Sequence, residues 1–262
     1  MDIKQLIANY PAVGNTEIQS SCSEKYALVN TARVVERITS EGWEIIGGKQ
    51  ARTLKPENRQ FARHSVLLAQ KVEGDSGIRG RAYTQLMNAH AGRGSARFRA
   101  GIYTFACANE CLSGAFLDIK IESRHIGNAE DRMIEAFYQI AQQMPALTAR
   151  VAQWANYTVN YAQARELAEA GLTARFGEDR AKWAIDPDTV VRNVRRTEDA
   201  TTDLWSVYNR VQENILRPFQ KGAVNEATGK TIPFRKVTAL DSVAQINTAL
   251  WNTADRLVGL VS

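Results

Sequence analysis

The stretch Phe116-Leu117-Asp118-Ile119-Lys120-Ile121-Glu122 decides the fold class. Leu117, Ile119 and Ile121 alternate with Asp118, Lys120 and Glu122, the period of two that gives a strand one buried face and one wet face. Within a few residues the period changes. Asn128 can cap a helix, and Met133, Phe137, Ile140 and Met144 then recur on one helical stripe. Strands followed by helices argue an α+β protein.

Upstream of that stretch the spacing predicts four more strands, over Trp43 to Arg52, Phe61 to Val72, Arg81 to His90 and Arg97 to Ala106, with the quoted one extending to His125. The separators carry turn residues: Lys55-Pro56-Glu57-Asn58, Gly74-Asp75-Ser76-Gly77 and Gly92-Arg93-Gly94-Ser95. Five strands with short links make a mostly antiparallel sheet, because parallel pairs need long crossovers. Residues 1–28 read as a short helix and an irregular lead. One helix, capped by Thr31 and ended by Gly42, precedes the sheet proper. Downstream, Pro145 is expected to interrupt the helix. A second stripe runs through Leu147, Val151, Trp154, Tyr157 and Tyr161. Asp186-Pro187 reads as a helix start. Leu204, Val207, Tyr208, Val211 and Ile215 form one later stripe, and Val243, Ile246, Leu250 and Leu257 another. Residues 221–239 read as a loop or linker. The expected organisation is a basic α+β sheet domain over 1–127 and a helical region over 128–262, which packs on the sheet or forms an oligomer or partner interface.

The 262 residues include 44% hydrophobic side chains, enough for a real core. No apolar run approaches the roughly 18 residues that span a bilayer, and the first residues lack the pattern of a signal peptide. Cys22, Cys107 and Cys111 are an odd number and read as reduced thiols. A cytoplasmic protein without a membrane is expected.

Charge is distributed unevenly. The chain carries +5, yet Lys49–Arg99 holds eleven Lys/Arg against three acids, whereas 126–262 holds sixteen of each sign. Such a cluster can hold a polyanion by phosphate contact and counterion release. On a regular strand Arg97, Arg99, Tyr103 and Phe105 share a face, as do Arg81 and Tyr83. Arginines meet phosphates and rings stack bases. The residues expected to contact nucleic acid are Lys49, Arg52, Lys55, Arg59, Arg63, Arg79, Arg81, Arg93, Arg97 and Arg99, with Tyr83 and Tyr103 stacking.

Catalytic signals are absent from the spacing. Gly92-Arg93-Gly94-Ser95 lacks the Gly-Lys-Ser/Thr ending of a phosphate loop. His64, His90 and His125 all fall near predicted strands and are the candidates for a metal, but no short spacing supports one. Cys107 and Cys111 are not spaced as a zinc or redox pair. No catalytic residue, metal or other cofactor is expected.

Three segments resemble a known family. Tyr26-Ala27-Leu28-Val29-Asn30-Thr31 precedes Gly42-Trp43, Gln50-Ala51-Arg52 and Phe61-Ala62-Arg63-His64. Asn88-Ala89-His90-Ala91-Gly92 precedes Ala100-Gly101-Ile102-Tyr103 and Cys107-Ala108-Asn109. Arg124-His125-Ile126-Gly127-Asn128 opens the long helix. In order and spacing these resemble the phage- and plasmid-encoded domain of unknown function 932. The family's usual segment is closer to Asn-Ser-His-Asp-Gly, so Ala89 and Ala91 stand here for a Ser and an Asp. Thr104 stands for an Arg, and Glu110 for a Gly. The resemblance implies a mobile-element setting and no settled activity. A basic sheet backed by helices is also similar, at the level of fold, to phage single-strand annealing proteins. The resulting expectation is a non-enzymatic, homo-oligomeric protein binding single-stranded DNA in recombination or replication. The alternative is a modulator of a host defence or replication complex, bound to a host protein through the helical half. An enzyme acting on nucleic acid through the three histidines is the third reading.

Overall fold

In a computed structural model the described residues are 1–70, 80–92, 95–103, 116–123, 125–178, 185–219, 222–224 and 228–260. They fall into two compact units, one of Met1–Tyr103 with Asp118–Leu147 and one that includes Thr148–Ser262. The fold is α+β, with an antiparallel sheet and a helical C-terminal half.

Two helices precede the sheet: a short one within residues 1–28 and the one directly before the sheet proper. The first, α1 (Ile3–Asn9), starts at a capping box in which Asp2 and Gln5 each accept from the other's backbone N–H. The second, α2 (Thr31–Ser40), is capped by Asn30, whose side chain accepts from the Arg33 N–H. Thr31 is not the cap; it is the first helical residue, and its hydroxyl is turned into the core.

Strands β1 (Trp43–Gln50), β2 (His64–Gln70), β3 (Arg81–Asn88) and β4 (Ala96–Tyr103) form a four-strand antiparallel meander with a continuous register. A fifth strand, β5 (Phe116–Ser123), follows β4 in the sheet order. Its side chains, including the alternation that opened the sequence reading, lie outside the described residues. β1 ends at Gln50, β2 starts at His64 and β3 ends at Asn88, each inside the range that its apolar pattern suggested.

The register fixes two faces. His64, Val66 and Leu68 stand beside Asn88, Leu86 and Thr84, and these beside Phe98 and Ala100. This face meets α2 and the first part of α3 (Ala129–Ala155). Phe137 of α3 contacts Trp43 edge-on at 5.0 Å and Phe98 at 5.9 Å between ring centroids. The other face carries Ser65, Leu67 and Ala69, then Met87, Gln85, Tyr83 and Arg81, then Arg97, Arg99, Gly101 and Tyr103.

Pro145 does not interrupt α3, which continues to Ala155. The proline removes one hydrogen bond by lacking an N–H, and it sits on the exposed side of the helix. Met144, Leu147, Val151 and Trp154 are buried and keep the helix in place on either side. In the second unit α4 (Tyr161–Phe176), α5 (Pro187–Arg192), α6 (Leu204–Leu216) and α7 (Leu240–Leu257) pack around Trp154, Trp205, Tyr208 and Trp251. A Cβ on Gly171 of α4 would stand 2.3 Å from Ile215 and 2.8 Å from Leu250, so the three helices meet where only glycine fits. Tyr161 departs from its expected stripe; it is exposed at the start of α4, with Arg192 over its ring at 5.5 Å. The segment expected as a linker contains a small antiparallel pair, β6 (Gly222–Val224) and β7 (Thr231–Pro233), too short to show alternation. No helix among the described residues is long and apolar enough to cross a membrane.

Candidate functional site

In an antiparallel meander the end of β1, the start of β2, the end of β3 and the start of β4 lie along one edge of the sheet. That edge gathers the links, and two depressions form there. The larger, about 490 Å³, is walled by Arg63, Asn58 and Phe61 from the β1–β2 link, by Met87 and Asn88 from β3, and by Arg97 from β4. Gln19, Thr53, Ala62, Ala89, Ala91 and Ser95 complete it. The smaller, about 450 Å³, takes Arg52 and Arg59 together with Tyr10 and Gln50. Thr53 lines both, so the two are neighbours. Four of the expected arginines therefore converge, although 45 residues separate Arg52 from Arg97. Arg52 and Arg59 are exposed and form no ion pair among the described residues; Arg63 and Arg97 are half-buried.

The remaining candidates separate from this group. Lys49 is exposed on the edge strand β1, and Lys55 is exposed in the following link; neither lines either of these two depressions. Arg81 stands opposite Tyr103 at the far end of the sheet. At about 3.4 Å per residue, six residues from Arg81 to Met87 span roughly 20 Å. There Arg81 pairs with the Glu44 carboxylate, and its side chain is only 14% exposed, so it is not available to a phosphate. Tyr83 is fully buried, and burial pushes its hydroxyl pKa up; it cannot stack a base. Arg99 is also buried. The rings that do line the depressions are Phe61 and Tyr10; Phe61, expected to open the second strand, lies in the link before it, and Tyr10 lies outside any expected strand. Arg79, Arg93 and the Cys107/Cys111 pair fall outside the described residues, as does the Tyr103 side chain.

The edge is held by a network beneath it. Asn88 donates through Nδ2 to the Val29 carbonyl (3.0 Å) and to Thr31 Oγ1 (2.9 Å). Thr31 Oγ1 lies 2.8 Å from His64 Nε2, and His64 Nδ1 lies 2.9 Å from the Ala62 carbonyl. A carbonyl only accepts, so Nδ1 carries the proton and Nε2 receives the threonine hydroxyl. His90 donates through Nε2 to the Ala12 carbonyl (3.0 Å), and His125 through Nδ1 to the Ala27 carbonyl (3.1 Å). The rings of His64 and His90 are 5.0 Å apart. Tyr26 stacks on His125 at 4.8 Å and donates to the Ala89 carbonyl at 3.3 Å.

These imidazoles are neutral. Burial lowers His64 to about 4 against the support of the Ala62 carbonyl. It lowers His90 to about 3, helped by His64 and opposed by the Ala12 carbonyl. His125 is lowered by burial as well. Burial, and next the Cys22 thiol, raise Tyr26 to about 12. Each histidine donates its one proton to a backbone carbonyl. Among the described residues no three His, Cys, Asp or Glu side chains are placed to hold a metal.

Asn88–Gly92 shapes the larger depression. Gly92 has φ +68°, and a Cβ there would stand 2.9 Å from the Cys22 sulfur, so the turn needs glycine for both conformation and space. Ala89 and Ala91 both line the cavity. At Ala91 the wall carries only a methyl group.

The model of a family described as domain of unknown function (DUF932) matches residues 19–251. Two Escherichia coli K12 proteins, UPF0380 protein YfjQ and UPF0380 protein YafZ, are each 26% identical over 258 residues, covering 97% of this chain and 90% of the relative. No solved structure matches the chain.

Proposed function

The chain belongs to the DUF932 family, and from that premise we propose that it binds single-stranded DNA through the arginine-lined edge of its sheet, by binding alone and without chemistry on the strand. One observation carries the reading: Arg52, Arg59, Arg63 and Arg97 line two depressions that share Thr53, with Tyr10 and Phe61 among them. Cations spaced along a groove hold a phosphate backbone, and rings between them offer surfaces on which any base can stack. A single strand suits this edge better than a duplex, because its bases are already free to turn inward. Assembly of several copies along one strand, in an annealing or replication role, extends the same proposal.

The test is fluorescence anisotropy with a labelled single-stranded oligonucleotide and its duplex at two salt concentrations. The expected result is tighter binding of the single strand, weakening with salt. No binding at low salt, or binding indifferent to salt, overturns the proposal. Sizing with and without the oligonucleotide checks assembly.

A further inference from the structure

We infer that the 490 Å³ depression is a pocket for one unstacked nucleotide, so that the chain recognises a base as well as a backbone; this rests on the single-strand reading above. A volume near 500 Å³ is that of a small-molecule site, larger than a phosphate alone requires. Its walls are differentiated. Arg63 and Arg97 supply positive charge. Phe61 and Met87 give an apolar wall suited to the face of a base. Gln19 and Asn58 supply a polar edge. Gln19 Nε2 donates to Asn58 Oδ1 at 3.4 Å, which leaves Asn58 Nδ2 as a donor and Gln19 Oε1 as an acceptor, neither partnered among the described residues. A base edge presents donors and acceptors of its own, and a turned-out base is read through such groups. The small side chains of Ala89 and Ala91 keep the interior open. A duplex keeps its bases paired and could offer this pocket only phosphate.

The experiment compares an ordinary oligonucleotide with one of equal length made wholly of abasic sites, by anisotropy at one salt concentration, using the unaltered full chain. Occupancy by a base predicts weaker binding of the abasic strand by roughly 5- to 150-fold, the range of one base–aromatic stack. The salt slopes of the two strands should match, since their phosphates are the same. In Phe61→Ala the intact-to-abasic ratio should fall toward one; being a ratio within one protein, it is insensitive to partial unfolding. Equal affinity for both strands overturns the inference, and base stacking with it, and leaves standing only the phosphate contacts of the single-strand reading. Binding of neither removes both.

Discussion

The salt dependence of binding can be worked from the site. Four guanidinium groups line the two depressions. On a single strand each neutralised phosphate contributes about −0.7 to the slope of log affinity against log salt, so four give about −2.8. Between 50 and 200 mM salt, a fourfold change, affinity should fall about 50-fold. Arg97→Ala leaves three contacts, a slope of about −2.1 and a fall of about 18-fold over the same interval. Arg81→Gln is the control. It is equally basic in sequence, but it pairs with Glu44 at the opposite end of the sheet. Its slope should match that of the unaltered chain. The assay is an anisotropy titration of each protein at four salt concentrations, with circular dichroism to confirm folding. If Arg81→Gln flattens the slope as much as Arg97→Ala does, charge acts without regard to place, and the edge is not the site.

Tyr83→Phe should leave oligonucleotide affinity within about twofold by the same titration, because the ring is fully buried. Stability should fall with acid. His64 and His90 are depressed from 6.5 to about 4 and about 3, so the unfolded chain takes up their protons first as pH drops below 6.5. Each then removes about 1.4 kcal/mol per pH unit until its folded value is reached. Urea melts from pH 7 to 4 measure this, and a flat profile refutes the burial argument. Gly92→Ala should cost about 1–3 kcal/mol from its positive φ and the Cys22 sulfur. The same change in a Cys22→Ala background should cost less, as relief of the contact leaves only the backbone strain. Trp154→Ala should cost about 3–5 kcal/mol in thermal or urea unfolding, since it removes the ring that touches Trp205, Tyr208 and Trp251.

Much of the architecture is visible in the residue pattern. The change from alternation at Leu117, Ile119 and Ile121 to the stripe at Met133, Phe137 and Ile140 marks the passage from sheet to helices, and each of those three helical residues is buried. The pattern cannot show what lies beneath an arginine. Arg81 and Arg97 look alike in a strand, and the register even places them on one face, but Glu44 takes Arg81 and the far end of the sheet separates them. Tyr83 shares that face and is buried, because alternation distinguishes two faces and says nothing of whether the second is covered. Asn58 and Gln19 escape a strand-based reading for another reason: Asn58 comes from the β1–β2 link and Gln19 from the lead before α2. Knowing the strand order would have found Asn58, since every second link of a meander returns to the same edge.

The three imidazoles beneath that edge have a consequence for control. Burial keeps His64 and His90 uncharged well below neutrality and lowers His125 as well, so His64 and His90 add no positive charge beneath the edge as pH falls through that range. On the proposed function, hold on a polyanion should then be insensitive to pH down to the point where the fold itself begins to yield, with grip set by ions in solution and acid acting only on the scaffold.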